Sequence, residues 1–363
     1  MASVTITNVW KYYGKTAAVR DLNLVCEDGE FLCVLGPSGC GKSSTLRMLA
    51  GLEHISAGDI LFGERRVNDI PPKDRDIAMV FENYALYPHK TVYDNIANSL
   101  RLRRLDKSTI DQKVQKAAKM LEIEQLLDRR PGELSGGQKQ RTAIGRAIVR
   151  EPELFLFDEP IAHLDAKLRA HMRVELKLMQ RELGTTMIYV THDQLEALSM
   201  ADRVAVMHEG VLQQFGPPQD VYYKPANQWV AGFVGEPPMN FLDCEIVEEG
   251  DLLSVRHSSF TTALLPEQAA IIRQSGDARA VTLGIRPEEI SIDASSSERS
   301  FSGNVMLTEP LGGDLLVDVA LEDSKVLVKT KPSYRGGRGE PCHLTFDRSR
   351  WHLFSKENGV AYF

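Results

Sequence analysis

The run Gly36-Pro37-Ser38-Gly39-Cys40-Gly41-Lys42-Ser43 has the spacing G-x-x-x-x-G-K-S. Glycines at these places let the backbone turn tightly and aim successive N–H groups at phosphate oxygens. A helix that begins at Lys42 points its positive end at the same anion. The pattern predicts an ATP site. Ser38, Gly39, Cys40 and Gly41 supply backbone, Lys42 reaches the β- and γ-phosphates, Ser43 ligates Mg²⁺, and Ser44 lies beside it.

Two further clusters fit this chemistry. Leu154-Phe155-Leu156-Phe157-Asp158-Glu159 is an apolar run ending in paired carboxylates. A buried strand that delivers Asp158 at its C-terminal end completes a phosphate-loop ATPase site: Asp158 holds Mg²⁺ through water and Glu159 polarises the attacking water. Paired acids at a strand end are also common as a solvated rim; the phosphate loop upstream favours the catalytic reading. Leu134-Ser135-Gly136-Gly137-Gln138 opens a helix, with Ser135 as N-cap. Its bare N–H groups suit a second anion, or an ordinary capped helix.

Elements must position these residues. Phe31–Leu35, Ile77–Phe81, Leu154–Phe157 and Met187–Val190 are near-continuous apolar runs, as in a parallel sheet covered on both faces. Val4–Val9 and Leu22–Cys26 alternate instead and read as an antiparallel patch. Residues 107–128 read as an amphipathic helix capped by Ser108, and Leu164, Leu168, Met172, Leu176 and Met179 as a packing stripe of another. After Pro237-Pro238 the texture changes to short strands between Gly, Asp, Ser and Pro turns, with one helix at Pro266–Arg273 and a polar loop at Ser295–Ser302. The expected fold is an α/β phosphate-loop ATPase domain over residues 1–236, with a helical subdomain at about 85–150, followed by a small β-barrel over residues 237–363.

Composition narrows the class. The chain has 363 residues, net charge −7 and no run of apolar residues long enough to span a bilayer. No basic stripe points to nucleic acid. The five cysteines lack metal-ligand spacing and read as packing residues in a reducing compartment.

Taken together, these motifs resemble those of ATP-binding-cassette transporter ATPases, and the likeness covers nearly the whole chain. The phosphate loop, Leu134–Gln138, Asp158-Glu159 and His192 stand in that family's order. Met79-Val80-Phe81, Asn83 to His89, Gly232-Phe233-Val234-Gly235, Met239-Asn240-Phe241-Leu242 and Leu283-Gly284-Ile285-Arg286-Pro287-Glu288 resemble the importer ATPases for maltose, other carbohydrates and glycerol 3-phosphate. The resemblance implies that the C-terminal segment is a regulatory domain of OB-fold (TOBE-like) type. It implies that Tyr13 stacks on adenine, Glu159 is the general base, and His192 contacts the γ-phosphate. Ser135, Gly136, Gly137 and Gln138 would cap ATP held by a second ATPase subunit, and Asp165 would lie in a loop crossing to that partner. Tyr84 to His89 would lie near two transmembrane permease subunits, served by an external solute-binding protein, with this chain peripheral on the cytoplasmic face of the inner membrane. The solute would be a carbohydrate, polyol or glycerol 3-phosphate, with polyamine, sulfate or iron as alternatives. A soluble cassette ATPase or a regulatory protein is the reading from a different class.

The chain departs from that pattern twice. Position 82 is Glu where the family has a Gln that helps ligate Mg²⁺ and senses the attacking water; a carboxylate also ligates Mg²⁺ but adds charge beside the γ-phosphate. Two such charges ~4 Å apart repel by about 4 kcal/mol at an effective dielectric near 20. Ala162-His163 replaces the subgroup's Ser-Asn. These changes are compatible either with a non-identical second ATPase or with a homodimer in which they are neutral.

Overall fold

A computed structural model describes residues 2–250, 252–276, 279–293, 295–296 and 300–363. The chain forms two compact units, one ending at Gln219 and the other starting at Asp220. Residues 220–236 thus group with the second unit, and Pro237-Pro238 lies inside it.

The strands of the first unit are β1 (Val4–Tyr13), β2 (Thr16–Cys26), β3 (Phe31–Leu35), β4 (Ala57–Phe62), β5 (Arg65–Arg66), β6 (Ile77–Val80), β7 (Leu154–Asp158), β8 (Thr186–Thr191), β9 (Arg203–His208) and β10 (Val211–Gly216). Its α-helices before Gln219 are α1 (Lys42–Ala50), α2 (Val92–Leu102), α3 (Lys107–Met120), α4 (Gly136–Ile148), α5 (Ala166–Leu183) and α6 (Gln194–Met200). The central sheet has six strands in the order β10-β9-β3-β8-β7-β6. All pairs in it are parallel except β9–β10 at the edge. Every residue of β3 and β8 is buried, which is why Phe31–Leu35 and Met187–Val190 are continuous apolar runs rather than alternating; the threonines Thr186 and Thr191 close the ends of β8. Register fixes the functional edge: Leu35 pairs with Thr191, Asp158 with Val190, and Val80 with Phe157. The strands therefore end side by side, and the loops leaving them converge outside their carboxyl ends. The alternating strands form a separate sheet, β2-β1-β4-β5, as their pattern predicts.

Helix α3 corrects the sequence reading at both ends. Its N-cap is Asp106, not Ser108; the Asp106 carboxylate accepts from Thr109 N at 2.9 Å. It ends at Met120 rather than 128, because Glu122 takes a left-handed φ of 53°. The chain then makes a short 3₁₀ turn, Glu124–Leu126, that buries Leu126. In the α5 stripe Met172, Leu176 and Met179 are buried, as packing residues should be.

The far end of α1 depends on a buried arginine. The guanidinium of Arg75, 2% exposed, donates to Met48 O at 2.8 Å, Leu49 O at 2.9 Å and Ile70 O at 2.8 Å. It satisfies Leu49 O, which the helix end leaves open, and is a second donor to Met48 O beside Gly51 N at 3.1 Å. Arg75→Ala is expected to destabilise this end by about 2–4 kcal/mol, because buried hydrogen bonds to a charged group are lost and carbonyls are orphaned. Faster amide hydrogen exchange across α1 is the measurement.

The second unit is mostly β. One five-stranded antiparallel sheet runs Phe260–Ala263, Leu252–His257, Asn240–Glu249, Ala280–Ile285, His352–Ser355; the other runs Ile290–Asp293, Pro341–Phe346, Phe301–Pro310, Leu315–Ala320, Lys325–Thr330. They share one core, in which Val255, Leu283, Val305, Val317, Leu344 and Trp351 pack together. The predicted helix is present as Pro266–Gln274 and its Gln268 Oε1 accepts from Trp351 Nε1 at 3.2 Å. Short helices at Pro218–Tyr223 and Gln228–Phe233 have no counterpart in the sequence reading. The polar loop read at Ser295–Ser302 lies partly outside the described residues, and Phe301 already opens a strand.

Candidate functional site

The loop between β3 and α1 is shaped by contacts that exclude side chains. A Cβ on Gly36 would stand 2.3 Å from Met207 O and 2.7 Å from Cys40 Sγ. Gly41 has φ 104° and caps α1 with no side-chain acceptor, so the first N–H groups of the helix stay open to an incoming anion. Lys42 is 4% exposed and its Nζ donates to Gly36 O at 2.8 Å and Pro37 O at 3.0 Å, so the ammonium is folded over the loop.

A cavity of about 380 Å³ opens here, lined by Ala18, Ser38, Gly39, Gly41, Lys42, Ser43, Ser44, Glu82, Asp158 and Glu159. Residues far apart in the chain thus come together because the parallel strands end on one edge. Ser43 Oγ donates to Asp158 Oδ1 at 3.1 Å. Burial pushes the Asp158 carboxyl up; the Ser43 hydroxyl and the Arg47 charge oppose this, while Glu159 and Glu82 add to it. These donors are all hard oxygens, which suit a divalent cation such as Mg²⁺ and would also relieve the crowding of carboxylates.

Glu159 directly follows β7 in a left-handed conformation, φ 46°, fixed by its N–H to Val190 O at 3.0 Å. Its Oε2 lies 2.7 Å from His192 Nδ1 just beyond β8. Glu82 stands two residues beyond β6, and its Oε1 lies 3.3 Å from His163 Nε2. Tyr13 is 43% exposed and its hydroxyl is 3.4 Å from Ser44 Oγ, so a half-exposed aromatic ring, with the Lys11 ammonium 4.7 Å from its centroid, flanks the loop.

Other predicted residues stand apart from this cavity. Ser135 caps α4 in a reciprocal box with Gln138: Gln138 N donates to Ser135 Oγ at 3.4 Å and Ser135 N to Gln138 Oε1 at 3.0 Å. Gly137 packs tightly, since a Cβ there would meet Leu168 Cδ2 at 2.6 Å, and Gly136 faces Leu164. Asp165 caps α5 by accepting from Leu168 N at 3.0 Å. Neither Ser135–Gln138 nor Asp165 lines the cavity. Cys40 is buried behind the loop and burial pushes its thiol up, so it is an inert packing residue. All five cysteines are free and buried.

Sequence reasoning missed Ala18, for which no sequence signal exists, and Arg47, one turn into α1 and charged toward Asp158. It also gave no hint that His163 would meet Glu82.

Comparison with known proteins places these features. Residues 19–162 match the family described as "ABC transporter", residues 235–290 the "MalK OB fold domain" and residues 283–354 the "TOBE domain". The chain is 49% identical, over 100% of both chains, to the trehalose/maltose import ATP-binding protein MalK of Thermococcus litoralis. It is 47% identical, over 98% of each chain, to the sulfoquinovosyl glycerol transport ATP-binding protein SmoE of Agrobacterium fabrum. Among solved structures it resembles CbiO1 of Clostridium perfringens, part of the ABC transporter complex cbiONQ, with a TM-score of 0.56 and 31% identity over 60% of this chain and 89% of that one. It also resembles the ATP-binding cassette MJ0796 in a dimeric, post-hydrolysis state bound to ADP and Pi, with a TM-score of 0.54 and 30% identity over 59% of this chain and 98% of that one.

Proposed function

The chain belongs to the ABC transporter ATPase family, with an ATPase unit followed by OB-fold and TOBE segments, and from that premise we propose that it powers import of a carbohydrate or a glycerol-linked sugar. The observation that carries the site reading is Glu159, held 2.7 Å from His192 at the cavity that also contains Lys42, Ser43 and Asp158. Backbone N–H groups at the start of α1 and the Lys42 ammonium bind the phosphates. Tyr13 offers its ring to adenine. Ser43, Asp158 and Glu82 hold Mg²⁺, which when bound neutralises charge on the phosphates. Glu159 accepts a proton from the attacking water, and His192 orients Glu159 and faces the γ-phosphate.

Ser135–Gln138 lie outside their own chain's cavity. That supports a composite arrangement, in which they cap ATP on a second subunit, with Asp165 at the seam. The second subunit is either a copy or a non-identical ATPase. A groove lined by Met79, Phe81, Tyr84, Tyr87, Leu102 and Arg146 fits a permease helix. Tyr87 is clamped there: Arg146 lies 4.9 Å from its ring centroid and Lys90 4.5 Å. Among the described residues no helix is long and apolar enough to cross a membrane. Membrane attachment at the cytoplasmic face would therefore come through two permeases, with an external binding protein delivering solute.

The relatives' names support the solute class, trehalose or maltose in one and sulfoquinovosyl glycerol in the other. The test is reconstitution with the permeases and binding protein encoded beside this chain. ATP hydrolysis is expected to rise when the binding protein carries a sugar or sugar-glycerol. Stimulation by a polyamine, sulfate or iron alone would overturn the solute assignment, and failure to associate with any permease would overturn import.

A further inference from the structure

The cavity holds three carboxylates, Glu82, Asp158 and Glu159, against one lining ammonium, Lys42, which is turned onto backbone carbonyls. Each acid has its own neutral or cationic neighbour. Asp158 has Ser43 at 3.1 Å, Glu159 has His192 at 2.7 Å, and Glu82 has His163 at 3.3 Å. The third pair joins the two places where this chain departs from the pattern it resembles, Glu82 beyond β6 and His163 in the loop between β7 and α5.

That loop is well anchored on both sides of His163. Ala162 N donates to Glu159 O at 3.3 Å and Leu164 N to Ile161 O at 3.2 Å. Arg169 donates to Ala162 O at 3.1 Å and Leu164 O at 3.0 Å, and Ile161 and Leu164 are buried. The imidazole is exposed, but its backbone has a fixed origin. The same short loop begins at Glu159, so it carries one acid of the site and brings an imidazole to 3.3 Å from a second. A half-exposed pair of this kind contributes little to folding. Its consequence lies in where it keeps the Glu82 carboxylate.

We propose that His163 is a positioning residue for Glu82, holding that carboxylate at the cavity so that it serves as a second acidic ligand for the divalent cation of the bound nucleotide. The inference rests on the reading of the cavity as a cation–nucleotide site. It makes Glu82 and His163 one functional unit: the carboxylate adds charge to the ligand set, and the imidazole keeps it from turning to solvent or crowding Asp158 and Glu159.

The experiment measures Mn²⁺ binding, by electron paramagnetic resonance, to the full chain saturated with a non-hydrolysable ATP analogue. His163→Asn is expected to weaken Mn²⁺ by about tenfold, the usual scale for losing a group that orients a metal ligand. Glu82→Gln is expected to weaken it at least as much, and the double variant no further than Glu82→Gln alone. His163→Gln, whose amide reaches the same point, is expected to recover much of the loss, and thermal midpoints should stay unchanged. Wild-type Mn²⁺ affinity in His163→Asn overturns the proposal, as does a His163→Asn loss that persists undiminished in the Glu82→Gln background. A wild-type chain that binds no Mn²⁺ with the analogue would instead overturn the reading of the cavity itself.

Discussion

A Glu159→Gln chain is expected to bind ATP about as well as wild type and to hydrolyse it about 10²–10⁴-fold more slowly, the span typical of removing a general base. The exchange is nearly isosteric. The backbone at position 159 is held by its N–H to Val190 O, and the side chain by His192, so the amide should occupy the place of the carboxylate. What disappears is the proton acceptor. Nothing in the phosphate cradle changes, because Lys42 and the start of α1 make no hydrogen bond to Glu159. The expected signature is therefore split: nucleotide affinity preserved, turnover lost, and uncleaved ATP retained on the protein. Unchanged steady-state hydrolysis would sink the assignment of Glu159. Loss of nucleotide affinity together with turnover would mean that Glu159 supports the cradle rather than the chemistry.

Glu159 and its neighbours also mark what a sequence can and cannot disclose. Gly36–Ser43 is legible because a phosphate cradle is local: its glycines, lysine and helix start are consecutive, and Gly36 and Gly41 sit where Met207 O and Ala18 O leave no room for a Cβ. Asp158-Glu159 is legible because a buried strand ends in them. The meeting of these parts follows from reading the strands as parallel, since parallel strands end on one edge. Contacts fixed only by tertiary packing are not legible. Arg75 reaches the far end of α1 across the fold, and no local pattern marks it. The approach of His163 to Glu82 depends on β6 and β7 being neighbours and on the path of the loop after Glu159. Helix α3 departs from its sequence pattern where apolar residues continue the stripe past Met120; Leu121 and Leu126 are indeed buried, but through a break and a 3₁₀ turn rather than a continuous helix. Periodicity reports burial, and burial does not require that a helix persist.

The largest effect beyond Glu159 is expected from mixing two inactive chains. Lys42→Ala removes the ammonium from the cradle and should abolish nucleotide-dependent turnover. Ser135→Arg fills the start of α4 with a bulky cation; its cost to the fold is only that of an exposed N-cap, about 1 kcal/mol, so the chain should stay folded. If each ATP lies between the cradle of one chain and Ser135–Gln138 of the other, a dimer of either variant alone has two damaged sites. A mixed dimer has one site damaged on both faces and one intact, because its good cradle meets its good α4 start. With equal amounts, random pairing and independent sites, hydrolysis should recover to about a quarter of wild type. A site complete within one chain's cavity, which Ser135 does not line, predicts instead that Ser135→Arg is active by itself and that mixing adds nothing to it. With both variants inactive alone, absence of recovery points to a chain that pairs only with a non-identical ATPase, and a wild-type protein that is inactive and monomeric alone is the check on that outcome. The position of Ser135–Gln138 outside their own chain's cavity makes recovery the expected result.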